Sequence, residues 1–185
     1  MFLQNHLREA IAIDFAVVPT VSFRLLYVFV VLSLEQRRLL HVHVTPHPTA
    51  AWTAQQMVEA LSEDTHKYLI RDREGFYGAE FRRRVAGLGL HEVPIAPRSP
   101  WQNAYAERFI GSPRRECMDH LIVFNKRQAS RILSTYARYY NHARTHLALD
   151  KDAPESRRVQ ARESGRVTAF PEVRGLHHRY ERVPA

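Results

Sequence analysis

Residues 10–18 read AIAIDFAVV. Small, β-branched and aromatic residues follow one another with Asp14 as the single polar position, the composition of a strand. Strand alternation puts Ile11, Ile13, Phe15 and Val17 on one face and Ala10, Ala12, Asp14, Ala16 and Val18 on the other. Asp14 is then a lone carboxylate among apolar neighbours. Left unpaired in such surroundings it would cost several kcal/mol, so it stands at a strand end, pairs with a cation, is protonated, or binds metal.

The segments that follow extend this strand into a sheet. RLLYVFVVLSL (24–34) and RLLHVHV (38–44) are rich in β-branched and aromatic residues and are separated by polar turns, so three consecutive strands suggest an antiparallel meander. TAAWTAQQMVEALSED (49–64) reads as a helix with Thr49 as N-cap. KYLIRD (67–72) is a fourth strand, YGAEFRRRVAGLG (77–89) a helix stopped by glycines, and HEVPIA (91–96) a fifth strand. The order βββαβαβ, followed by helices, predicts an α/β fold with a five-stranded mixed sheet, three strands antiparallel and then two parallel. FNKRQASRILSTYARYYNHARTHLALD (124–150) spaces Ile132, Leu133, Tyr136, Tyr139 and Tyr140 as a long amphipathic helix would. Beyond Asp150 charges mix with Pro and Gly without a sustained period. The expected division is therefore a domain over 1–150 and a basic, partly ordered tail over 151–185.

At 185 residues, 45% of them hydrophobic, the chain fits one domain and a tail. Its 27 Lys and Arg against 19 Asp and Glu leave a formal charge of +8, which favours a polyanionic partner such as nucleic acid. Against a membrane, the longest apolar run, LLYVFVVLSL (25–34), is about half the ~20 residues of a spanning helix and is closed by Arg24 and Glu35. MFLQNHLREAIAIDF has no secretory-signal pattern, and Cys117, the sole cysteine, can form no internal disulfide. A cytoplasmic protein is expected.

Two further carboxylates share the setting of Asp14. Asp72 ends the fourth strand on the face of Tyr68 and Ile70; Glu74 competes with it, but Asp72 continues the buried face. Glu107 lies in PWQNAYAERFIGS, where Ser99 can cap a helix, Pro100 fits its first turn and Gln102 sits at the capping-box position. At about 100° per residue Asn103, Glu107 and Gly111 share one stripe beside the apolar Ala106 and Ile110. Three carboxylates from two strands and a helix could hold two Mg²⁺ ions ~4 Å apart, an arrangement that serves in-line displacement at phosphorus. Pro113 predicts a kink or break at Gly111–Pro113 and a second helix after it.

These stretches, together with APRSPWQNAYAERFIGSPRRECMDH and YYNHARTHLAL, resemble the integrase-type catalytic core of bacterial insertion-sequence transposases, the DDE class with a ribonuclease H-like fold. The resemblance covers roughly residues 9–150, and 34 residues separate Asp72 from Glu107, one fewer than the family's commonest spacing. It implies that Asp14, Asp72 and Glu107 are catalytic metal ligands for Mg²⁺ or Mn²⁺. It also implies strand cleavage and 3′-hydroxyl strand transfer on DNA, with element ends and target as partners, a homo-oligomer, and residence with the nucleoid. Asn103 would orient DNA near the metals; its alternative is an exposed polar helix residue. Only 13 residues precede Asp14, where related transposases carry an end-recognition region. This raises a truncated, non-catalytic DNA-binding or oligomerisation fragment, or a separate end-recognition subunit.

Other signals are weaker. Arg114, Arg115, Lys126 and Arg144 are candidate DNA-backbone contacts among interleaved tyrosines, whereas Arg82–Arg84 read as a solvated face. His41 with His43, and His142 with His146, are spaced for a transition metal but show no third ligand nearby. Cys117 reads as a small core residue.

Overall fold

β1 (Ala10–Pro19), which holds Asp14, is the central strand of the computed structural model, in which residues 5–61, 66–73, 75–96 and 103–184 are described. β2 (Leu25–Ser33) and β3 (Leu39–Thr45) add antiparallel on one side; β4 (Tyr68–Arg71) and β5 (His91–Pro94) add parallel on the other. The resulting five-stranded sheet has the order β3-β2-β1-β4-β5 and is the mixed sheet that the pattern predicted.

The alternation in β1 sorts the helices. Ile11 and Ile13, with Phe29, Val31 and Leu69, form a core under α1 (Ala50–Ala60) and α2 (Ala79–Gly87). Ala10 and Ala12, with Val28, Val30, Leu32 and Ile70, form the opposite core under α3 (Ala104–Glu116) and α4 (Lys126–His142). Each fully buried Ile or Phe contributes about 1.5–3 kcal/mol. The small side chains at 10 and 12 let α3 sit close, and its Ala106 is wholly buried. Thr49 caps α1 as expected, accepting the Trp52 N–H at 3.2 Å. The last predicted turn of that helix, the Ser99, Pro100 and Gln102 start signals, and Glu74 all lie outside the described residues.

Two expectations are corrected. α4 stops at His142 instead of continuing to 150: the Ala143 and Arg144 N–H groups both turn back to the Tyr139 carbonyl at 2.8 Å, and Asp150 adopts a left-handed φ of 51°. The apolar stripe ends there, and Arg144 is drawn to α3 instead. Secondly, α3 runs through Pro113 without a break, and only a 3₁₀ turn at Met118–His120 follows. Pro113 stands in the last helical turn and is itself buried, so the one backbone bond it removes is offset by apolar packing. The Ser112 hydroxyl donates to the Arg108 carbonyl at 3.2 Å.

The ordered part of the expected tail is residues 166–183. β6 (Arg166–Glu172) and β7 (His177–Val183) form an antiparallel hairpin docked on α4. Val173 at the turn is 2% exposed, the His177 ring stacks on Tyr139 at 4.6 Å, and His177 Nε2 meets the Glu116 carbonyl at 2.8 Å. These anchors are single residues, which no periodicity announces.

Candidate active site

Parallel pairing sets the level of the first two carboxylates. The pairing ends with Ala12 opposite Ile70; Asp14 lies two residues further along β1, on the face of Ala12 and Ala16 that α3 covers, and Asp72 follows one residue beyond β4. Both are half-buried. Asp14 Oδ1 accepts the Phe15 N–H at 2.8 Å. Asp72, one residue past β4, has its backbone carbonyl held by Arg71 Nη1 at 2.8 Å. Arg71 faces the opposite side of the sheet, 7% exposed, bonded through Nε to Glu92 at 2.7 Å and lying 5.0 Å from the Tyr77 ring centroid. A buried ion pair therefore fixes the strand end that presents Asp72.

Glu107 is exposed in the first turn of α3, and that turn is tied to β1 beside Asp14. The tie is Asn103, whose Nδ2 donates to the Ile13 carbonyl at 3.3 Å. At 3% exposure Asn103 is not an exposed polar residue; its amide N–H is turned to the β1 backbone. Its buried Oδ1 has no hydrogen-bond partner among the described residues, which adds an unspent oxygen donor one turn before Glu107. Three carboxylates and an amide oxygen are a hard donor set of the kind Mg²⁺ takes. Asp14, Asp72 and Glu107 do not bring even one carboxylate oxygen each within 4.8 Å of one another.

The basic candidates divide. Arg144 binds both oxygens of Glu116, with Nη2–Oε1 at 2.6 Å and Nε–Oε2 at 2.9 Å, and Tyr136 donates to the same carboxylate at 2.8 Å. It therefore joins α4 to α3. Arg114 and Lys126 are exposed, the former 3.7 Å from Asp119. Arg115 joins Arg37, Arg108, Arg144 and His146 around a pocket of about 240 Å³, with no carboxylate among its described lining residues. Arg37 is held 5.5 Å over the Tyr105 ring centroid. Arg37 and Arg108 escaped the sequence reading because nothing in their spacing links residue 37 to α3. Arg82–Arg84 are exposed on α2, across the sheet, and Cys117 is fully buried, its thiol pushed up to about 11 by burial and then by Glu116.

This network makes stability depend on pH. Burial first, then Arg144 and Arg37, presses the His146 imidazole from 6.5 down to about 4. Burial alone raises the Glu116 carboxyl, but the hydrogen bonds from Arg144 and Tyr136 outweigh it and hold the group below its usual value. Between pH 6.5 and about 4 the unfolded chain takes a proton at His146 that the folded chain refuses, so stability rises with pH across that window. Glu116 contributes above its unfolded value and loses that contribution as pH falls through its folded one. Denaturant unfolding from pH 8 to 4 should show a loss of roughly 2 kcal/mol that His146→Gln largely removes, and Glu116→Gln should flatten the more acid limb.

The order of the sheet, its antiparallel and parallel halves, and a pair of helices on each face define an RNase H-like α/β fold of the integrase catalytic-core kind. Residues 88–154 match the Integrase core domain family. The Insertion element IS476 uncharacterized 39.2 kDa protein of Xanthomonas euvesicatoria is 30% identical over 89 residues, 48% of this chain and 26% of that protein. The chain thus spans about a quarter of the curated relative it matches. A chain of the simian T-cell lymphotropic virus intasome, solved by cryo-EM in complex with PP2A regulatory subunit B56 gamma, superposes with a TM-score of 0.67 at 14% identity, over 94% of this chain and 66% of that one. The HTLV-2 integrase catalytic core domain in complex with magnesium gives 0.63 at 11% identity, over 78% and 92%. At these identities the likeness to the solved structures is one of fold.

Proposed function

We propose that the chain carries out DNA phosphoryl transfer of the transposase kind, cutting a strand at an element's end and joining the freed 3′-hydroxyl to target DNA. The observation that carries this reading is that Asp14, in mid-β1, and Asp72, just past β4, each lie two residues beyond Ala12 and Ile70, the last paired residues of two adjacent parallel strands, with α3 and its Glu107 packed on β1. Asp14, Asp72 and Glu107 would hold Mg²⁺ or Mn²⁺, which supply Lewis-acid stabilisation of charge on the phosphate. The magnesium in the HTLV-2 domain supports that choice.

The protein's own groups have distinct tasks. Asn103 anchors α3 to β1 and so positions Glu107 relative to Asp14. Arg71, locked by Glu92, positions Asp72. Arg37, Arg108 and Arg115 attract backbone phosphates, and exposed Arg114 and Lys126 extend the basic surface; such contacts are salt-sensitive and read little sequence. In the joining step the 3′-oxygen bonds to phosphorus as a bridging P–O bond of the target breaks, with no covalent enzyme intermediate. DNA, further copies of the chain and a separate end-recognition subunit are the partners in this reading. Exposed Val21, Phe23, Ile122 and Phe124 lie near one another through the Val21–Val123 backbone bond and suit a subunit contact. No described helix is long and apolar enough to cross a membrane. In this reading a DNA substrate would bring the chain to the nucleoid in the cytoplasm.

A duplex with a labelled, recessed 3′ end is incubated with the protein, a plasmid target and Mg²⁺. A joined product that EDTA abolishes is the expected result. Duplex binding without cleavage or joining would favour the competing reading, a DNA-binding or oligomerisation fragment, which the same exposed apolar residues would serve.

A further inference from the structure

The opposite face of the sheet holds a second cluster of ligating side chains, at the β3 edge. His41 and His43 project there toward α1, paired in register with Val31 and Phe29 of the second core. The histidine pair had no third ligand in sequence, but α1 supplies one: one ligating atom each from His41, His43 and Glu59 all lie within 4.8 Å of one another. Gln56, one turn before Glu59 and 3% exposed, sets its Oε1 against both rings, 2.9 Å from His41 Nε2 and in contact with His43 Nδ1. Gln55 Nε2 steadies the Glu59 carboxylate at 3.1 Å. Two imidazole nitrogens thus converge on one buried oxygen, with a carboxylate at the solvent side.

We propose that His41, His43 and Glu59 form a Zn²⁺ site, with Gln56 Oε1 or water completing the coordination. The donor set decides the metal: imidazole nitrogen selects zinc over magnesium, so the site is chemically separate from the three-carboxylate face. Ligand bonds of about 2.0–2.2 Å in a tetrahedron need donors ~3.4 Å apart, a closure of at most about 1.4 Å from the 4.8 Å limit. Side-chain rotation on an exposed glutamate and two half-buried histidines can supply it. The ion would staple the edge strand β3 to α1 and stabilise the fold by mass action.

The test uses the full chain stripped with EDTA. Calorimetry with ZnCl₂ should show one ion per chain, Co²⁺ should develop the intense visible absorption of tetrahedral coordination, and Trp52, 5.8 Å from His43 between ring centroids, should report Co²⁺ by fluorescence quenching. His43→Asn and Glu59→Gln, which keep a polar group at each position and leave the apolar core intact, should each weaken binding at least about tenfold. His142→Ala should leave it unchanged. Circular dichroism verifies folding of each variant. No saturable zinc uptake by the wild-type chain, or uptake that either substitution leaves unaltered, overturns the proposal. None of these readouts requires DNA joining, so the site stands or falls apart from the proposed activity.

Discussion

Asp14→Asn should lower Mg²⁺-dependent joining by about 10²–10³-fold or more, with the unfolding midpoint almost unmoved. Asn has nearly the same volume, and its Oδ1 can still accept the Phe15 N–H that Asp14 accepts at 2.8 Å. What disappears is the negative charge, and a hard divalent cation loses its strongest ligand when a carboxylate becomes an amide. Losses of one preorganised electrostatic group at a reacting centre commonly reach this size. A structural ion pair would behave in the reverse way, with stability falling and the rate per folded molecule retained. Single-turnover joining rates set beside urea unfolding curves distinguish the two. A variant that joins DNA at the wild-type rate would remove Asp14 from the proposed site.

Glu92→Ala should destabilise the fold by about 3 kcal/mol. Its partner Arg71 is 7% exposed, and with Glu92 gone the guanidinium would be left beneath the sheet without its carboxylate. Breaking one side of a buried pair costs far more than the pair contributes, because the remaining charge stays desolvated. Glu92→Gln, which keeps a hydrogen-bond acceptor, should cost less. The double change Arg71→Met with Glu92→Leu should recover most of the stability, since an apolar pair of similar volume suits that core. It should still slow joining, because the Arg71 bond to the Asp72 carbonyl at 2.8 Å is lost. A fall in kcat with KM held would mark this as positioning; equal rates in the double variant and wild type would reduce Arg71 to a structural role.

Much of the fold was legible because alternation is a local property. In AIAIDFAVV Ile11, Ile13 and Phe15 belong to one core and Ala10, Ala12, Ala16 and Val18 to the other, while Val17, past the covering helices, is exposed. The same rule put Asp72 on the face of Tyr68 and Ile70. Thr49 was readable as a cap because the bond it makes reaches only three residues ahead. The errors fell where local preference met packing. Pro113 should end a helix, yet its position in the last turn and its burial let α3 continue. The helix from 126 should run on, but Arg144 leaves it for Glu116, 28 residues away in the chain.

The candidate site shows the same division. The sequence by itself determined the strands, the two faces of β1, the face that Asp14 shares with Ala12 and Ala16, and the basic character that favours DNA. The tertiary structure alone decided that Asn103 is buried against Ile13, that Arg37 lines one pocket with Arg108 and Arg115, that residues 166–183 form a docked hairpin, and that Glu59 reaches His41 and His43. Backbone geometry repeats every two or 3.6 residues and leaves its mark within a few positions of itself. Contacts between distant segments leave no such mark, because they depend on how the sheet and its helices close around a shared core.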